Sequence, residues 1–201
     1  MEHAPIRDAA TLVLVRFDGD GPRVLMGQRG ASAVFLPHAV VFPGGAVEAQ
    51  DAGAPLRGGV PMPCQRRLTK GASEGLAHAL QVAALRELRE ETGLVLPDAS
   101  SLRFIFRAIT PPARTRRFDA RFFVGDAAGI LGDPDDFSAA DGELSDLRWY
   151  RFSQAHRLGL HHATQAGLRA AQAAIGPAGL VDSPGQVLFF DGLDPALKPI
   201  R

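Results

Sequence analysis

Leu85-Arg86-Glu87-Leu88-Arg89-Glu90-Glu91-Thr92-Gly93-Leu94 places three carboxylates within five residues, behind an arginine and ahead of a glycine. Residues 76 to 92 contain no proline or glycine and are rich in Ala, Leu, Glu and Arg, all good helix formers. The pattern predicts a helix over this stretch, stopped at Gly93. On a helix Glu87 and Glu91 are one turn apart and Glu90 follows Glu87 by three, so the three can crowd one side. Like charges at that spacing repel unless something positive sits among them. A hard divalent cation would serve, since it prefers carboxylate oxygens. Arg86, one turn before Glu90, is the alternative, as a solvated ion pair. The segment alone leaves both readings open.

Upstream lies Val40-Val41-Phe42-Pro43-Gly44-Gly45-Ala46-Val47-Glu48. The two segments together resemble the Nudix hydrolase signature, G-x5-E-x7-R-E-U-x-E-E-x-G-U, where U is a bulky apolar residue. Arg86 to Leu94 matches every specified position of the second half. The first half supplies the double glycine, with Glu48 three residues after it. The middle departs from the pattern. Residues 49 to 73 look like an insertion, and the position eight before Arg86, where the pattern has glutamate, is His78. Glu74 is the nearest carboxylate and is out of register.

The resemblance implies an α/β fold, a Nudix-type α/β/α sandwich with a mixed β-sheet. It implies hydrolysis of a nucleoside diphosphate linked to another moiety, with Mg2+ or Mn2+ as cofactor. Glu87, Glu90 and Glu91 would hold the metal, joined by the Gly44 carbonyl and Glu48. Arg86 would orient the carboxylates by ion pairing. For the general base, Glu87 and Glu143 both remain candidates, the latter in Asp141-Gly142-Glu143-Leu144. A solvated loop glutamate is the ordinary reading of Glu143. Arg29, closing a predicted strand, is placed to face phosphates or to be solvated. The catalytic set is thus Glu87, Glu90, Glu91, Arg86 and Glu143.

Ile109-Thr110-Pro111-Pro112 and Arg116-Arg117-Phe118-Asp119-Ala120-Arg121-Phe122-Phe123 extend the likeness. They resemble the Nudix branch that includes peroxisomal coenzyme A diphosphatases, whose members also tend to carry a long insertion within the signature. Coenzyme A bears a 3′-phosphate besides its diphosphate, so Arg114, Arg116, Arg117 and Arg121 are sensible partners. Strand alternation would turn Arg117 and Arg121 to one face as substrate-binding residues, with Phe118 and Phe122 packed behind.

The rest of the chain frames this reading. Residues 9–17 and 23–29 read as a hairpin around a turn at Asp18 to Pro22, followed by a short strand over 38–42. Strands are also predicted at 101–109, 117–124, 147–152 and 187–190, with a helix over 164–175. Residues 49–73 are rich in Gly and Pro and poor in large apolar side chains, which predicts a long surface loop, a lid or merely mobile. His161-His162 reads as surface or helix entry, not a zinc site. We expect one domain over 1–201, with the loop at 49–73 and a C-terminal helical extension over 155–201.

Basic and acidic residues balance at 22 each, so no global field draws the protein to nucleic acid or an anionic membrane. The one cysteine, Cys64, allows no internal disulfide. It lies in the insertion, which does not fit isopentenyl diphosphate isomerase, a protein of the same fold that needs a cysteine near its active site. Met1-Glu2-His3-Ala4-Pro5 shows no secretory pattern, and no apolar run could span a bilayer. The expectation is a cytoplasmic protein with a small nucleotide diphosphate as partner, and a homodimer is considered. A catalytically silent nucleotide-binding module of the same fold is the alternative, favoured by His78 where a glutamate is due.

Overall fold

The computed structural model describes residues 4–31, 33–194 and 196–200. Met1 to His3 of the stretch read above for a leader lie outside the described residues. In chain order the strands and helices are β1 Ile6–Asp18, β2 Gly21–Arg29, β3 Val40–Val41, β4 Gly44–Ala46, α1 Met62–Leu68 and α2 Glu74–Thr92. There follow β5 Arg103–Ile109, β6 Arg117–Asp126, β7 Leu144–Arg151, α3 Phe152–Ala155 and α4 His162–Ala173. The chain ends with β8 Ile175–Gly176, β9 Gly179–Leu180, β10 Val187–Phe190 and β11 Lys198–Ile200.

One mixed sheet runs β11-β10-β5-β6-β1-β2-β3, with β4 also on β1 and β7 also on β2. β1 pairs parallel with β6 and antiparallel with β2 and β4. Alternation along β1 splits the interior in two. Leu12 and Leu14 face α1 and α2 with Leu25, Phe104, Phe123, Leu80, Leu88 and Cys64. Val13 and Val15 face α3 and α4 with Met26, Phe106, Phe122, Phe152 and Leu168. The expected α/β/α sandwich is therefore present.

Helix α2 forms as its sequence demands. The Ser73 hydroxyl accepts from the Leu76 amide, capping the start. Gly93, at φ 77°, closes the end in the left-handed region while its N–H donates to the Arg89 carbonyl. Ala77, Leu80, Ala84 and Leu88 form the buried stripe at helical spacing. Among the described residues, no helix is long and apolar enough to cross a membrane.

Two expectations about the chain's organisation are corrected. Residues 49–73 are not a free loop. They hold a 3-10 turn at Ala49–Ala52, the helix α1 and a second 3-10 turn at Thr69–Gly71. Val60, Cys64 and Leu68 are buried in the α2-side core. The Val60 N–H donates to the Gln81 side chain at 2.8 Å, and His78 Nε2 lies 2.9 Å from the Ala54 carbonyl oxygen. Three well-placed apolar side chains and these hydrogen bonds fix the segment, although its glycines and prolines hide any periodicity. The segment is part of the core and not a lid.

The second correction concerns residues 155–201, which are not a helical extension. Helix α4 is followed by four short strands, and β10 joins the main sheet parallel to β5. β10 is the strand expected at 187–190, whereas β8, β9 and β11 are two or three residues long, too short for a periodicity argument.

Candidate active site

The site lies where the Gly44–Gly45 strand, the last turns of α2 and the loop before β7 meet. β4 lies along β1, with Thr11 opposite Gly44 and Ala10 opposite Gly45. A side chain at Gly44 would strike the Ala10 carbonyl oxygen, and one at Gly45 would strike the Glu87 carboxylate. Glycine is needed here so that β4 can lie against both the sheet and the helix.

Glu87 and Glu91 project from one side of α2 and are both buried. The Gly44 N–H donates to Glu91 Oε2 at 2.7 Å, and Arg29 Nη2 stands 3.9 Å from Glu91 Oε1. Burial pushes the Glu91 carboxyl up to about 8; the neighbouring Glu87 charge adds to this, while the Gly44 amide opposes it. Burial likewise raises Glu87 above its ordinary range, against the pull of Arg86. Two adjacent carboxylates are thus held in a place short of positive charge. Glu90 is half exposed and bound by Arg86 at 2.8 Å.

Arg86 is the hub of the cluster. Its Nη1 donates to Glu87 at 2.9 Å and to Glu90 at 2.8 Å. Its Nε and Nη2 donate to Asp51 at 3.0 and 3.1 Å, and Nη2 also donates to the Ala46 carbonyl oxygen at 3.0 Å. Partial burial works against the guanidinium charge, but Asp51, Glu87 and Glu90 together hold it well above its ordinary value.

Asp51 is the residue that sequence reasoning missed. Five residues separate it from Gly45, which puts it in the place of the first glutamate of the signature. The insertion thus follows Asp51, and His78 is not the substituted position. The forward count was the available signal. Counting back from Arg86 across an insertion loses the register.

The other proposed residues divide. Glu143 lines the same cavity and shares Arg29 with Glu91, lying 3.7 Å from Arg29 Nη2. Its loop is tied to α2 by the Asp141 N–H, which donates to the Glu90 carbonyl. Glu48 also lines the cavity, and its carboxylate accepts from the Gln50 side chain.

Arg117 and Arg121 do not belong to the cavity, and this corrects their role as substrate-binding residues. Arg117 Nε donates to the Thr110 carbonyl oxygen. Arg121 is buried on the α2 side, bound to Asp8, Asp119 and the Gly71 carbonyl. Phe118 and Phe122 face the cavity instead. Alternation was read correctly, but the face was inverted, because a strand pattern does not say which side a sheet leaves open. His161 and His162, at the entry of α4, also line the cavity.

The cleft that receives these groups has a volume of about 760 Å3. A model of the NUDIX domain matches residues 63–171, just over half of the chain. The chain belongs to the Nudix hydrolase family. A crystal structure of a NUDIX hydrolase from Alicyclobacillus acidocaldarius is similar at 28% identity and a TM-score of 0.65, covering 84% of this chain and 91% of that one. An Ap4A hydrolase from C. elegans in a binary complex shares the fold at 19% identity and a TM-score of 0.54, covering 84% of this chain and 96% of that one. The NUDIX domain of Shewanella oneidensis NrtR, complexed with ADP ribose, does so at 14% and 0.52, covering 84% and 87%. The matched domain begins after Asp51, so the Gly44 to Asp51 half of this Nudix signature is carried by the geometry just described.

Nudix hydrolases generally use divalent metal ions, and the donors here are of the right kind: carboxylate oxygens crowded where positive charge is scarce. Among the described residues, no three His, Cys, Asp or Glu side chains already converge as a ready cage. Glu87 and Glu90 are instead turned to Arg86, with Glu91 turned to the Gly44 amide and Arg29.

Proposed function

We propose that this Nudix hydrolase is a metal-dependent pyrophosphohydrolase. It would cleave the diphosphate of a nucleoside diphosphate linked to another moiety, with coenzyme A or a related nucleotide derivative as a substrate. The observation that carries this reading is the pair of buried carboxylates, Glu87 and Glu91, at the edge of an open cleft with too few cations to balance them. A bound Mg2+ or Mn2+ would supply charge neutralisation at the diphosphate and acidify the attacking water.

The residues that would hold the ion are Glu87, Glu91 and Glu90, with Glu48 and the Gly44 carbonyl at the margin. Arg86 holds Glu87 and Glu90 in place and is itself held by Asp51. Arg29 supplies positive charge beside the reacting phosphates. Water adds to phosphorus, the bridging P–O bond breaks, and the water's proton passes to a carboxylate. Glu143 suits this role better than Glu87, because it stands exposed at the cleft while Glu87 is engaged by Arg86. The intact carboxylates of α2 favour an enzyme over a silent nucleotide-binding module. The insertion placed after Asp51 fits the branch that includes coenzyme A diphosphatases.

The test is a screen of dinucleotides, nucleotide sugars, NADH and coenzyme A with Mg2+ or Mn2+, identifying products by mass. Two phosphorylated fragments from one substrate, lost on chelation, are expected. Intact substrates throughout the panel with both metals overturn the reading. In the active assay Glu143→Gln should lower kcat far more than it raises KM, whereas an unchanged kcat returns the base role to Glu87.

A further inference from the structure

Most arginines of this protein are held by its own carboxylates or carbonyl oxygens. Among the described residues, the side chains of Arg7, Arg66, Arg89, Arg114, Arg116 and Arg169 have no such acceptor. Three of these six, Arg7, Arg114 and Arg116, line the cleft that contains Glu87.

The sheet brings them together. Arg7 is opposite Phe118 in the parallel pairing of β1 with β6, and Arg114 and Arg116 lie in the turn that leads into β6. Arg7, Ala9 and Thr11 share one face of β1 and all line the cleft. Thr11 marks the level of Gly44 and hence of Glu91. Arg7 is four positions from Thr11, so its backbone stands roughly 13 Å along the strand from the level of Gly44. The floor between them is made of small side chains, Ala9, Ala108 and Ala120, which leaves it open.

Charge separates along this floor. Arg29 and Arg86 serve the carboxylates at one end. At the other end Asp8 turns to the opposite sheet face to hold Arg121.

We propose that Arg7, Arg114 and Arg116 form a distal subsite for a second anionic group of the substrate, a phosphate monoester apart from the diphosphate that is cut. This rests on the hydrolase reading above and deepens it. A phosphate carries close to two charges at neutral pH and suits several guanidinium donors at once. The subsite would make the enzyme prefer a phosphorylated nucleotide derivative over the same molecule without that phosphate.

The experiment compares pairs that differ by this one group: coenzyme A against 3′-dephospho-coenzyme A, and NADPH against NADH, each with Mg2+. The wild type should favour the phosphorylated member of at least one pair by about tenfold or more in kcat/KM. Arg7→Ala, Arg114→Ala and Arg116→Ala should each shrink that ratio, and the triple variant should bring it near one. Arg169→Ala, away from the cleft, should leave the ratio intact. A ratio near one in the wild type for both pairs overturns the subsite, and so does a preference that survives the triple variant. In both cases cleavage of the dephospho compounds leaves the hydrolase reading standing. Cleavage of no member of either pair overturns the subsite, and the wider screen then decides the hydrolase reading separately.

Discussion

Two clusters of arginines and carboxylates sit at the α2 side of the sheet, and they are built differently. In the first, Arg107 and Arg121 meet Asp119 and Asp8, two cations against two anions. Arg107 grips Asp119 with two donors, at 2.8 and 2.6 Å, and stacks on the Phe189 ring. Arg121 reaches on to the Gly71 carbonyl and so fastens the inserted segment to the sheet. In the second, Arg86 and Arg29 face five carboxylates: Asp51, Glu87, Glu90, Glu91 and Glu143. A balanced cluster can be buried and closed, whereas an unbalanced one keeps its buried carboxyls raised and leaves an attraction for a further cation. The first cluster therefore reads as structure and the second as chemistry.

The strongest way to break this contrast is at the unbalanced cluster. Glu87→Gln and Glu91→Gln each remove a charge without changing side-chain size. We expect activity to fall by about a hundredfold or more, with an unchanged circular dichroism spectrum. Near-normal rates in both variants with magnesium would show the cluster to be an accident of packing.

At the balanced cluster the same kind of change should act on stability instead. Arg121→Met leaves Asp119 to Arg107 alone, takes the partner from Asp8 and releases the Gly71 carbonyl. The expected loss is about 3 kcal/mol, read from denaturant midpoints. A midpoint within error of the wild type would mean that the network is not holding the insertion.

The finest distinction is at Asp51, which touches no reacting group but holds Arg86 with two hydrogen bonds. Asp51→Asn should lower kcat by about tenfold with little change in KM, since the loss is one of orientation. If KM rises while kcat stays, Asp51 is shaping substrate binding and not the carboxylates.

How much of this was legible beforehand depended on whether the information was local. Helix α2, its glycine stop and the spacing of Glu87, Glu90 and Glu91 follow from propensity and the 3.6-residue repeat within a single segment. The longer strands of the sheet were readable from apolar runs, whereas β4 and β11, three residues each, were not. The likeness to the Nudix signature rested on the same contiguous residues, and it carried the sandwich and the general placement of Arg29 and Glu143 with it.

Tertiary structure decided what depends on contacts between distant segments. Asp51 reaches Arg86 across 35 residues, so an insertion between them hid the pairing. Val60, Cys64 and Leu68 enter the core because α1 packs under the sheet, which no periodicity in a Gly- and Pro-rich stretch announces. Arg121 and Phe122 point to opposite faces in any register, but only the packing of α1 and α2 on one side and α4 on the other settled which face became core and which became cleft.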